Sequence, residues 1–186
     1  MNLKEILSYF KIENFDIRYV IRGLIDGSLS SLGVIIGASG GEVSIIIAAG
    51  IGGGVANGIS NILGALTAER AILENTRASQ EKVLLRKEGS LKSSTLYRDA
   101  LNKTTVSGIW DGISTTFGSI IPITPFLFLP KDLAIYSAII ITMVILFTLG
   151  IFIGKMSKEN LIMAGIKMAL AGLMVALISF AIEKML

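Results

Sequence analysis

The chain reads as an all-α, polytopic membrane protein with five transmembrane helices, and three observations predict this. It is 52% hydrophobic with a mean hydropathy of +0.72, and only 17% of its 186 residues are charged, a balance far from that of ordinary soluble domains. Five segments hold the roughly 20 mostly apolar residues that a membrane-crossing helix needs. The basic residues gather in short connections, as topology signals do. The length permits one compact bundle.

Residues 1–18, MNLKEILSYFKIENFDIR, precede the first span. They lack a continuous apolar core and a small-residue cleavage site, so they do not read as a signal peptide. Leu3, Ile6, Leu7 and Phe10 share one helical face opposite Lys4, Glu5 and Lys11, which fits an interfacial amphipathic helix or a plain surface helix equally. Residues 19–66 hold the first two spans, Tyr19 to Ala38 and Val43 to Leu66. The first is weakly hydrophobic, and its Asp26 and serines call for a protein interior. Residues 67–104 form a charged, helical, cytosolic insert with Glu69, Glu74, Glu81, Glu88 and Asp99 among eight Lys/Arg. Residues 105–186 hold the last three spans, Thr105 to Phe128, Leu133 to Gly154 and Asn160 to Ile182.

Charge bias orients these spans. Lys4, Lys11, Arg18 and Arg22, the eight basic residues of the insert, and Lys155 with Lys158 fall on one side; Lys131 and Lys184 fall on the other. Positive charge marks the cytosolic side, so a multi-pass cell-membrane protein with its N-terminus in the cytosol and its C-terminus outside is expected. The net charge of +3 then expresses topology, and no nucleic-acid partner is indicated.

An internal repeat stands out within the first and third spans. Gly23-Leu-Ile-Asp26-Gly27-Ser-Leu-Ser30-Ser31-Leu-Gly33-Val-Ile35-Ile36 aligns with Gly108-Ile-Trp-Asp111-Gly112-Ile-Ser-Thr115-Thr116-Phe-Gly118-Ser-Ile120-Ile121, with six of fourteen positions identical at an offset of 111 − 26 = 85. Both spans run from inside to outside, which makes the Asp-Gly repeat parallel. An ionisable residue within a span is expensive to bury and is a functional candidate by default. Asp26 and Asp111 are therefore candidate metal-site carboxylates; the competing reading is a helix cap or an ion pair with a nearby arginine such as Arg22.

The second span adds Asn57 and Asn61, whose amide oxygens could complete a cation site or whose side chains could bond neighbouring helices. Gly50, Gly54 and Gly58 at four-residue spacing read as a helix-packing face. In the insert, Glu74, Glu81 and Glu88 are seven apart and share one face if the helix continues, which allows cytosolic metal capture. Arg70 with Glu74 and Arg77 with Glu81 equally make ordinary i,i+4 pairs. Met163, Met168 and Met174 read as lipid-facing or core residues in preference to soft-metal ligands. Lys167 is expected to snorkel or to pair with a bundle carboxylate.

Cysteine and histidine are absent, which excludes disulfides, thiolate or imidazole metal ligands and Cys/His nucleophile pairs. Any metal must be held by oxygen or by methionine sulfur. Paired membrane aspartates also raise an intramembrane aspartyl protease, but its Gly-x-Gly-Asp pattern is missing, because Gly23 and Gly108 lie three residues before the aspartates. No enzyme activity is expected.

The residues IRGLIDGSLSSLGVIIGASGG, GIGGGVANGISNILGALTAE and GISTTFGSIIPITPF, the last with a Gly-x-x-x-Pro exit from Gly118, together resemble the vacuolar iron transporter family. The resemblance implies a five-helix protomer in a homodimer that moves ferrous iron, and often manganese, out of the cytosol in exchange for protons. It assigns a metal-ligand role to Asp26. Two positions depart from the family pattern: Asn61 stands where a methionine is usual, and Gly64-Ala65 where Gly-Glu is usual. The cytosolic insert is also shorter. No permanently bound cofactor is implied; Fe2+ or Mn2+ is cargo, and lipid, protons and a second copy are the partners. Apolar surroundings favour a protonated carboxyl while a divalent cation favours the ionised form, so proton and metal would compete for one site. A membrane metal sensor or scaffold that does not transport is the alternative.

Overall fold

The computed structural model describes residues 17–185, which are helical throughout apart from short connections and contain no strand. The expected amphipathic segment lies almost wholly outside these residues. The helices are α1 (Ile17–Gly37), α2 (Val43–Gly64), α3 (Arg70–Val83), α4 (Thr95–Ile123), α5 (Lys131–Ser157) and α6 (Leu161–Met185). A π-turn at Ala65–Glu69 joins α2 to α3, so one uninterrupted helix of 41 residues runs from Val43 to Val83.

Among the described residues, four helices are long and apolar enough to cross a membrane: Ile17–Gly37, Val43–Val83, Lys131–Ser157 and Leu161–Met185. The third expected span, within α4, is not among them. Its composition explains why. The buried face of α4 consists largely of Ser107, Gly108, Asp111, Gly112, Ser114, Thr115, Gly118 and Ser119, polar and small residues that lower hydropathy while turning toward protein.

Those small residues bring α1, α2 and α4 into backbone contact. A Cβ at Gly23 would overlap the Asp111 carbonyl, one at Gly27 would overlap the Thr115 carbonyl, and one at Gly118 would lie 2.6 Å from the Leu24 carbonyl oxygen. Gly23 meets Asp111 and Gly27 meets Thr115, so residue numbers rise together between these two contacts and α1 and α4 run parallel there, offset by 111 − 23 = 88 residues. Helix α2 packs antiparallel on the other side of α4: Gly50 meets Ile123, Gly54 meets Ser119, and Gly58 meets Gly112 and Thr116. The expected packing face at Gly50, Gly54 and Gly58 is thus seated on α4. Close helix approach through small residues is how membrane bundles replace the hydrophobic drive they lack.

Pro122 lies inside α4 and cannot donate to the carbonyl of Gly118, four residues back. Ser28 Oγ of α1 donates to that carbonyl at 3.3 Å, which satisfies the group from a neighbouring helix. Helices α5 and α6 form an antiparallel pair in which Gly150 packs on Ala164 and Gly165, and Gly154 on Ala164 and Leu161. Asn160 Oδ1 accepts from the backbone N–H groups of Ile162 and Met163 at 3.1 and 3.2 Å and so caps the N-terminus of α6. At the opposite end of the bundle, Lys131 Nζ donates to the Gly41 carbonyl at 2.7 Å.

Candidate functional site

Asp26 projects from the middle of α1 and is half-buried. Its Oδ2 accepts from Asn57 Nδ2 at 3.1 Å and from Asn61 Nδ2 at 2.8 Å. The two asparagines are one helical turn apart on α2, so both amides reach the same carboxylate. Asn57 also donates to Ser30 Oγ at 2.9 Å, and Asn61 to Thr115 Oγ1 at 2.8 Å. Three of the residues singled out in the sequence, Asp26, Asn57 and Asn61, therefore converge. The arrangement can exchange donors for acceptors: a half-turn of each carboxamide would present its oxygen where its N–H groups now point.

Asp111 occupies a second position. It is fully buried, and its Oδ2 is ion-paired with Arg22 of α1. Its Oδ1 has no hydrogen-bond partner and lies against Gly23, 3.0 Å from the position of an added Cβ. The arginine expected as a competing partner of Asp26 thus serves the other aspartate. Arg22 also stands 3.7 Å from Glu69 Oε1 and 4.7 Å from the Tyr19 ring centroid, while Tyr19 OH donates to Glu69 Oε2 at 2.8 Å. Thr115 links the two aspartates, accepting from Asn61 and donating to the Asp111 carbonyl at 2.8 Å. Glu69 is not legible in the sequence as a site neighbour, because the π-turn that sets its direction leaves no clear mark in the residue pattern.

Asp26 opens onto a cavity of about 580 Å³ whose wall includes Arg18, Arg22, Asn61, Met156 and Met168. The cavity lies between α1, the end of α2, the end of α5 and α6. Met168, expected to face lipid or core, lines this space. Met156, from the last turn of α5, joins it without any signal in the residue pattern. Lys167 points elsewhere and stands 3.8 Å from Glu159, both side chains being largely exposed, so it neither meets a bundle carboxylate nor faces the cavity.

The glutamates of the insert are arranged differently from the expected face. Helix α3 ends at Val83, and Glu88 falls in the turn beyond it, so it does not extend the Glu74 and Glu81 stripe. Glu81 is buried; it accepts from Arg77 at 2.5 Å and from the backbone N–H groups of Gly89 and Leu91, each at 2.8 Å. Burial works against its charge, but the Leu91 and Gly89 N–H groups and Arg77 outweigh it and hold its carboxyl below the usual value. Glu74 accepts from Tyr97 and Arg77, and these bonds lower it in turn. Among the described residues no three acidic groups gather as a metal-sized cluster.

A helical bundle with apolar outer faces and a carboxylate–carboxamide site inside it defines a multi-pass membrane protein whose polar chemistry lies within the bundle. The VIT family profile matches residues 78–184, more than half of the chain. The protein belongs to the VIT family, whose members transport ions across membranes. An uncharacterized protein of Methanocaldococcus jannaschii is 56% identical over 184 residues, covering 98% of this chain and 96% of that one. The match extends the similarity across α1 and α2, where Asp26, Asn57 and Asn61 lie.

Proposed function

We propose that the protein is a divalent metal transporter, carrying Fe2+ or Mn2+ out of the cytosol in exchange for protons, with Asp26 as the central ligand. The observation that carries this reading is the Asp26 carboxylate facing a 580 Å³ cavity with Asn57 and Asn61 on the same oxygen. A hydrated divalent ion brings about six waters of roughly 30 Å³ each, so the cavity has room for a cation that has kept its shell. Turning the two carboxamides would replace water oxygens by protein oxygens as the shell is shed. Proton binding at Asp26 would expel the metal, and metal binding would expel the proton.

In this reading α4 is a fifth span, enclosed by its neighbours and therefore free to be polar. The parallel Asp-Gly repeat then places two carboxylates on two parallel spans. Asp111 is a reserve carboxylate: Arg22 holds one oxygen, and a cation displacing Arg22 would gain both. The charge bias puts the N-terminus, the cavity mouth and the α3 unit in the cytosol and the C-terminus outside.

Two copies would meet along the outer face of α2, where Ala48, Gly52, Ala56, Ser60 and Gly64 are exposed at four-residue spacing, the pattern through which membrane helices pair. The deciding experiment is metal flux into proteoliposomes under an imposed pH gradient. Wild-type protein is expected to move Mn2+ and Fe2+ with counterflow of protons, and Asp26→Asn to abolish both movements while remaining folded. Undiminished exchange by Asp26→Asn would sink the assignment. Metal binding without flux in the wild type would favour a sensor.

A further inference from the structure

The cavity that Asp26 faces has a third wall that the oxygen ligands do not explain. It is formed by Met156, at the end of α5, and Met168, in α6. Close packing of α6 on α5 fixes this wall, since Gly150 sits where an added Cβ would be 3.0 Å from Met168 Cβ. Neither methionine is buried in the core: Met156 is 44% exposed and Met168 is half-buried. Both belong to the space shared by Asp26 and Asn61.

Thioether sulfur is a neutral, polarisable donor that favours softer metals, whereas carboxylate and amide oxygens favour hard ones. The chain has no cysteine and no histidine, so methionine is its only source of a soft ligand. A neutral sulfur also adds a donor without adding charge to an apolar wall. The long, unbranched side chain swings through three torsions, which lets sulfur follow a cation across a wide cavity. The positive charge of Arg22 on the same wall is offset by Asp111 and Glu69.

We propose that Met156 and Met168 supply thioether donors to a cation held at Asp26, so that this path selects soft and borderline transition metals over hard ones. The proposal rests on the transport reading for its consequence in flux, but the ligand assignment can be read without any flux. Because the protein contains seven methionines and no cysteine, any sulfur beside a bound metal is a thioether.

The test uses full-length protein in detergent and in proteoliposomes, with Cd2+ as the soft probe and Mn2+ as the harder one. X-ray absorption at the cadmium edge should show sulfur in the first shell of the wild type. Met156→Leu with Met168→Leu, a swap that conserves volume, should remove it, and Asp26→Asn should remove the bound Cd2+ itself. In flux, the double variant should lower the Cd2+ to Mn2+ ratio roughly tenfold while Mn2+ still moves. An all-oxygen shell in the wild type, or a sulfur signal or ratio unchanged in the double variant, would overturn the proposal. Absence of any flux in the wild type would overturn the transport reading instead, and a sulfur signal lost in the double variant would still support the ligand assignment.

Discussion

Arg22 of α1 caps the buried carboxylate of Asp111 on α4 from one side only, leaving Asp111 Oδ1 without a partner. The pair is lopsided, because the Asp111 side chain is wholly buried while that of Arg22 is 54% exposed. Removing the arginine strands a charge inside the bundle. Removing the aspartate leaves an arginine that reaches water and Glu69. Arg22→Gln is therefore expected to cost more than Asp111→Asn, by about 1–3 kcal/mol after allowance for the exposed partner. Thermal unfolding in detergent should rank the melting points wild type, Asp111→Asn, then Arg22→Gln, and the reverse order of the two variants would refute the account.

Glycines on two faces of the same bundle should respond in opposite ways. At Gly27 an added methyl overlaps the Thr115 carbonyl, which is helix backbone and cannot yield, whereas nothing lies within 4 Å of the Cβ position at Gly52. Gly27→Ala is expected to destabilise by about 2 kcal/mol or more through forced separation of α1 and α4. Gly52→Ala should leave the protomer as stable as before or gain up to about 1 kcal/mol from helix propensity. Gly52→Leu should leave the protomer folded but split a dimer built on the α2 face, as read by light scattering. A dimer that survives Gly52→Leu places its interface elsewhere.

The Ser28 to Gly118 bond exists because Pro122 cannot make its own, and that dependence is measurable. Ser28→Ala should cost about 1 kcal/mol beside Pro122, leaving the Gly118 carbonyl short of a donor. In a Pro122→Ala background the restored backbone N–H at that position takes the carbonyl, and the same change should cost little. A double-mutant cycle on unfolding free energies should therefore give a coupling near the full value of the bond. Additive costs would disprove the substitution of one donor for the other.

Acid should loosen the α3–α4 hairpin through Glu81. Its folded-state carboxyl is held below the ordinary value, so its contribution is fully present above the unfolded-state value and is lost as pH falls through the depressed folded-state value. Amide exchange at Gly89 and Leu91, corrected for intrinsic rates, should accelerate across that acid window. Glu81→Gln should raise exchange at these amides roughly tenfold at neutral pH and remove the acid step. Exchange that is equally pH-dependent in the variant would exclude Glu81 as the cause.

Hydropathy and charge make most of the helices legible. The expected first span, Tyr19 to Ala38, and fourth, Leu133 to Gly154, lie within about three residues of α1 and α5, because apolar runs and their flanks carry that information locally. The start of α4 at Thr95, ten residues before the expected Thr105, is hidden because a polar stretch of helix has no hydropathy signature. Asp26, Asn57 and Asn61 are legible as candidates through their cost in apolar segments. Which groups they meet is not: Arg22 lies four residues before Asp26 yet pairs with Asp111, 89 residues away, and only the parallel seam of glycines decides that. The same limit applies to Glu88, since the end of α3 is set by Glu81 drawing the Gly89 and Leu91 backbone back onto the helix.

The unbroken helix from Val43 to Val83 makes the α3–α4 hairpin and the Asp26 site two stations on one rod. Asn61 and Arg77 are 77 − 61 = 16 residues apart, or about 24 Å of rigid helix. A displacement of the buried Arg77 and Glu81 pair would therefore reach Asn61 as tilt or torsion of one helix, through the π-turn at Ala65–Glu69. The hairpin is thus a lever arm, and shortening it would alter the mechanics of the membrane part without touching a single ligand.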